Sequence, residues 1–122
     1  MSKPRMTLAT QLVLKALLER PAAEQYGLEI SAQAGLPGGT IYPILARFEQ
    51  LGWLESRWEN LDPHQEARPR RRYYHLSRDG AEKAREALTA VEARTQSRRS
   101  SVLKPLEGFA PSNVLKPLEG SA

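Results

Sequence analysis

Residues 37–59 read PGGTIYPILARFEQLGWLESRWE, and the fold turns on this stretch. Ile41, Ile44, Leu45, Phe48 and Leu51 recur at i, i+3, i+4, i+7 and i+10, which is one face of a helix. A helix is predicted over Thr40–Leu51, with Thr40 as a cap or a phosphate ligand and Pro43 tolerated in the first turn. The opposite face carries Thr40, Pro43, Arg47 and Gln50, flanked by Tyr42, and is free to meet a partner. From Trp53 the period changes to two: Leu54, Ser56 and Trp58 alternate with Trp53, Glu55 and Arg57, as in a half-buried strand with Trp58 in the core.

On the N-terminal side, Thr7 caps a predicted helix that Pro21 stops at about Arg20. Its apolar positions, Leu8, Leu12, Leu14 and Leu18 among them, cover more than one stripe, which implies burial against two neighbours. A shorter helix runs from about Tyr26 to Ala34 and closes at Gly35 and Pro37. On the C-terminal side, Arg72–Ser77 reads as the antiparallel mate of the first strand, with Tyr74 and Leu76 inward. The connection between them, Asn60–Arg71, is too long for a tight turn and is expected to project as a mobile flap ending in Arg68, Arg70, Arg71 and Arg72. Ser77 then caps a last long helix, in which Ala84, Leu88 and Val91 share a face.

Helix, helix, helix and hairpin, in that order, is the α+β, mostly α, arrangement of a winged helix-turn-helix, extended here by a C-terminal helix. Such a fold delivers one helix into the DNA major groove and sets the hairpin against the backbone. Residues 1–77 form the expected DNA-binding domain and residues 78–99 the dimerisation helix. A core of about 99 residues buries only a little over ~60% of its unfolded surface, which favours a homodimer through the first and last helices. Leu8, Leu12, Ala84, Leu88 and Val91 are the residues expected at that contact.

Charge points the same way. The chain carries 18 Lys and Arg against 14 Asp and Glu, a net +4, and from Ser101 onward Lys104, Glu107, Lys116 and Glu119 cancel. The whole excess therefore belongs to residues 1–100 and suits a polyanion such as double-stranded DNA. With no cysteine there is no disulfide, thiolate zinc site or cysteine nucleophile. His64 and His75 lack a third ligand at metal spacing, and no nucleophile, base and orienting acid share a spacing, so neither metal, cofactor nor enzymatic activity is expected. No apolar run approaches a membrane span, and Met1–Met6 lacks the apolar block of a signal peptide, so the expected location is cytoplasmic.

The last segment stands apart. Val102–Gly108 reads VLKPLEG, and Val114–Gly120 repeats it. Two copies are too few for a solenoid. With Pro105, Pro111 and Pro117 among glycines and serines, residues 100–122 are expected to be a disordered tail. The alternatives left open are that each copy docks on a protein partner or packs on the domain.

Three ordered stretches also resemble the PadR family of bacterial transcriptional regulators, over about residues 7–90. YGLEI at Tyr26–Ile30 resembles the family's HGYEL, residues 37–59 its GTLYPLLKRLEEEGLIESEWE, and RPRRRYYHLSRDG at Arg68–Gly80 its GRPRKYYRLTEAG. The resemblance implies a homodimeric winged-helix repressor whose last helix packs on the first helix of the other subunit. It places Thr40, Tyr42 and Arg47 on the recognition helix and Arg70, Arg71 and Arg72 on the wing. The candidate DNA-binding set is completed by Pro43, Tyr26 and Gly39. Leu28, Tyr26 and Ala67 depart from the family's tyrosine, histidine and glycine. No aromatic residue lies between Arg78 and Ser101, so the inter-subunit aromatic site of some relatives has no counterpart. The function expected is a sequence-specific regulator, with an architectural or mobile-element DNA-binding protein and a tail-mediated adaptor as rivals.

Overall fold

The computed structural model describes residues 4–102, and the VLKPLEG tail lies almost wholly outside them. The elements are α1 (Leu8–Leu18), β1 (Gln25–Tyr26), α2 (Gly27–Ala34), α3 (Gly38–Gln50), β2 (Leu54–Trp58), α4 (Pro63–Glu66), β3 (Arg72–Leu76) and α5 (Arg78–Val102). Thr7 caps α1 by accepting the Thr10 N–H at 3.1 Å. α2 is capped by the Glu29 carboxylate, which accepts the Tyr26 N–H at 3.1 Å, and it stops where Gly35 takes the left-handed conformation at φ 70°.

Helices α1, α2 and α3 enclose a core of Val13, Leu14, Leu17, Ile30, Ile41, Leu45 and Phe48. The sheet closes it from the side. Its strand order is β1-β3-β2, antiparallel throughout, with Leu54 opposite Leu76, Ser56 opposite Tyr74 and Trp58 opposite Arg72. The expected hairpin thus gains a third, two-residue strand, too short to leave a periodic signal.

Several expectations are corrected. α3 begins at Gly38 with Pro37 as its cap, so Thr40 is the third helical residue and donates its N–H to the Pro37 carbonyl at 2.9 Å. Pro43 is then the sixth residue and not a first-turn proline; lacking an N–H, it deprives the Gly39 carbonyl of its helical donor. Trp58 is 57% exposed because the strand runs past the end of the core. The connection after β2 contains α4 and is tied back by the Arg68–Glu59 ion pair. Ala84 is fully buried within its own subunit and presents no surface to a second copy.

Of the described residues, 4–91 form one compact unit, and α5 enters it through its first turns. The Ser77 hydroxyl accepts the Gly80 N–H and donates to the Gly52 carbonyl, both at 2.9 Å, while the Ser77 N–H donates to the Trp53 carbonyl. Gly80 is thereby pressed against the turn between α3 and β2: a Cβ there would stand 2.0 Å from the Trp53 carbonyl oxygen. That neighbour is backbone and cannot swing away. Gly80→Ala should therefore lower unfolding stability by roughly 1–3 kcal/mol through overpacking, measured by urea denaturation; an unchanged midpoint would mean that α5 is not clamped at this turn.

Candidate nucleic-acid interface

The exposed face of α3 and the connection between β2 and β3 lie beside each other, and both carry polar or cationic side chains. On α3 the exposed residues are Gly39, Tyr42, Pro43, Ala46, Arg47 and Gln50, with Thr40 half-buried. Tyr42 lies across the start of α2. A Cβ on Gly27 would stand 2.1 Å from the Tyr42 hydroxyl oxygen, so the absence of a side chain at Gly27 makes room for the ring.

The connection is folded by one carboxylate. Glu59 accepts the Arg68 guanidinium at 2.7 and 3.2 Å, the Arg71 N–H at 3.3 Å and the Tyr73 hydroxyl at 3.3 Å. These donors, Arg68 first, hold the Glu59 carboxyl well below the usual range, at about 2. Arg70 donates its Nε–H to the Leu61 carbonyl at 2.9 Å, and the Arg71 guanidinium sits 4.2 Å above the Tyr26 ring.

The four arginines are thereby divided. Arg68 is spent on Glu59, and Arg72, the first residue of β3, is spent on Glu49 of α3 at 3.0 Å, on the Ser56 hydroxyl at 3.1 Å and on the face of Trp58. Ser56 donates to the same Glu49 carboxylate, whose pKa falls mainly because of that bond and then because of Arg72. Among the described residues, Arg47, Arg70 and Arg71 have no carboxylate partner.

A family model described as the transcriptional regulator PadR-like family matches residues 13–86, which takes in α2, α3 and both strands of the hairpin. The chain belongs to the PadR-like family. Solved structures agree in fold. A Streptococcus mutans protein is 22% identical, with TM-score 0.60, covering 85% of this chain and 95% of that one. A PadR-like transcriptional regulator from Bacillus cereus is 21% identical, with TM-score 0.57 and coverage of 80% and 93%. A PadR family transcription regulator from Clostridium difficile is 22% identical, with TM-score 0.57 and coverage of 81% and 100%. A comparison with curated proteins found no match.

In this PadR-like chain the structure gathers Tyr26, Tyr42, Arg70, Arg71 and Arg72 around one open cleft of about 700 Å³, while Thr40, Gly39, Pro43 and Arg47 continue along α3. Among the described residues there is no group of three or more His, Asp or Glu side chains placed to hold a metal ion. Nor is any helix among them long and apolar enough to cross a membrane. The residues that sequence reasoning missed are Glu59 and Glu49, which set where the arginines point. The departure at Ala67 also gains a physical meaning: Ala67 ends α4 at φ 55°, a left-handed position where glycine is favoured.

Glu59 supplies the pH dependence of the wing. Its carboxyl is depressed from about 4.5 to about 2, so its hold on Arg68 and Arg71 is complete above about pH 5 and is lost as the pH falls toward 2. The Arg71 amide resonance is expected to titrate with a midpoint near 2, and Glu59→Gln at neutral pH should speed tryptic cleavage at Arg70 and Arg71. An Arg71 amide indifferent to acid would show that the wing does not depend on this carboxylate.

Proposed function

We propose that the protein is a homodimeric, sequence-specific DNA-binding transcriptional regulator, and a repressor, that inserts α3 into the major groove and rests Arg70 and Arg71 on flanking phosphates. The observation that carries this reading is the adjacency of the exposed α3 face to two guanidinium groups without carboxylate partners. Membership of a family of transcriptional regulators supports it.

The roles follow from position. Arg47, exposed in the last turns of α3 and without an acidic partner, is suited to read a base edge. Tyr42, Pro43, Gly39 and Thr40 line the leading part of that helix, and Tyr26 supports Arg71 from below. Arg72 couples the wing to α3 through Glu49 and is assigned a positioning role. A second copy would cover Leu8, which is 71% exposed, together with the half-buried Leu12, Leu88 and Val91. A two-fold dimer of this kind places its recognition helices about one helical turn of DNA apart, or a multiple of it.

If the dimer neutralises roughly 6–10 phosphates, affinity should drop ~1,000-fold or more between about 50 and 200 mM salt, measured by fluorescence anisotropy with a selected duplex. Arg70→Ala with Arg71→Ala should weaken every duplex alike and flatten that slope, whereas Arg47→Ala should also change the preference among sequences. A flat salt response in the parent protein removes the phosphate role, and uniform loss for Arg47→Ala moves that residue to the backbone. Separately, Leu8→Asp should shift the sedimentation coefficient from dimer to monomer with the helical content unchanged; a parent protein that sediments as a monomer overturns the dimer.

A further inference from the structure

Four large hydrophobic side chains stand exposed among the described residues, and three of them, Leu28, Tyr42 and Trp58, line one open cleft. Scattered apolar residues need no explanation, whereas grouped ones mark a binding surface. Two of the three are rings. Tyr42, on α3, is 47% exposed, and Trp58, at the end of β2, is 57% exposed. The Arg72 guanidinium lies 5.1 Å from the centroid of the Trp58 ring and covers one of its faces. A ring still more than half exposed beside that cation has its other face open to a partner.

The cations beside these rings are only partly engaged. Arg68 and Arg72 answer carboxylates, but Arg70 and Arg71, which line the same cleft, have none among the described residues. Arg70 gives its Nε–H to the Leu61 carbonyl, which fixes the side chain while leaving its terminal nitrogens for an anion. Arg47, also without a carboxylate partner, continues the cationic surface along α3.

Open ring faces next to such guanidinium groups are the two components of a surface for unpaired polynucleotide: bases stack on the rings and the cations follow the phosphates. Duplex DNA uses only the second component. Its bases stack on one another inside the helix, and the grooves offer their edges, so no base face is presented to Tyr42 or Trp58. Cations that extend from the cleft along α3 call for an anion that repeats, as the backbone of a strand does. Unpaired bases on such a backbone satisfy both components at once.

We infer that the surface formed by Tyr42, Trp58, Arg70 and Arg71 binds a single-stranded polynucleotide, its bases stacked on the two rings and its phosphates on the two arginines. This is a second function, and it stands whether or not the protein reads duplex DNA. DNA and RNA strands share the chemistry.

The test is fluorescence anisotropy of the full chain with labelled oligothymidylate, oligouridylate and an abasic strand, each of about 15 residues, and with a duplex. At least one base-bearing strand is expected to bind ~10-fold or more tighter than the abasic strand and to quench tryptophan emission. Trp58→Leu should remove the quenching and lower strand affinity ~10-fold or more, with duplex affinity and helical content unchanged; buried Trp53 remains as the internal reference. Trp58→Phe, which keeps a ring, should retain most of the strand affinity. Tight binding of oligothymidylate alone supports a DNA strand as the partner, of oligouridylate alone an RNA strand, and of both a site indifferent to the sugar. Base-bearing strands that bind no better than the abasic one overturn the proposal, as does unchanged strand affinity in Trp58→Leu. An equal loss on the duplex in Trp58→Leu assigns the ring to duplex binding and overturns the second function. A chain that takes single strands and ignores every duplex overturns the function proposed above and leaves this one standing.

Discussion

The wing takes its shape from the Glu59 carboxylate. Thirteen residues, 59–71, separate β2 from β3, and a chain of that length bearing a cluster of arginines repels itself unless something gathers it. Glu59 does so with a forked guanidinium, a backbone N–H and a phenol, so its two oxygens accept four hydrogen bonds. Removing any one donor leaves the others, but removing the carboxylate takes away the shared acceptor and leaves Arg68 with only the Pro69 carbonyl at 3.3 Å. Because Arg68 answers this charge, the Arg70 and Arg71 guanidinium groups are left without a carboxylate partner, Arg71 lying over the Tyr26 ring.

A second carboxylate does the same work between elements. Glu49 leaves α3 on the side facing the sheet and accepts both Ser56 from β2 and Arg72 from β3. Helix α3 and the hairpin are joined by this bridge as well as by the apolar contact of Phe48 with Trp53, whose ring centroids lie 4.9 Å apart. Partly exposed ion pairs contribute little to overall stability. Their value here is directional: the hydrogen bonds fix the distance between a helix that would read bases and a loop that would rest on phosphates. A regulator needs those two contacts in register on one duplex, and a loose hinge between them would forfeit the cooperativity.

The sequence disclosed most of the frame because the frame is built on periodicity. The stripe from Ile41 to Leu51 fixed α3, the alternation after Trp53 fixed β2, and Thr7, Gly35 and Ser77 marked helix ends through their caps. What stayed hidden has no period. Two residues of β1 cannot alternate visibly, and the start of α3 moved back two residues because a Pro-Gly-Gly run resembles a loop until Pro37 is seen capping a helix. Trp58 was misread since alternation assigns a face and cannot say where the core ends along the strand. Ala84 was misread for a related reason: a small residue on a helical face looks the same whether it meets its own subunit or another. The candidate interface was legible as a set of residue types, with the arginines and the exposed α3 face in view. Their division into braced and free groups was not, because Glu49 and Glu59 lie far from their partners in the chain.

The connection shows how a local departure from a family pattern can be tolerated. At Ala67 the backbone turns left-handed, which costs an L-residue with a Cβ roughly 1–2 kcal/mol. That conformation is what turns the chain from the end of α4 toward Arg68, so that the guanidinium can reach back to Glu59. The Asp62 carboxylate caps α4 by accepting the His64 N–H, and Arg70 holds the Leu61 carbonyl, so the turn is braced on both sides of the strained residue. Strain persists where the surroundings over-determine it, and here the bracing groups are the charges that define the wing. The segment is therefore ordered by electrostatics where a glycine would have ordered it by steric freedom. Its geometry becomes conditional on Glu59 staying ionised, and the stance of the two free arginines inherits that condition.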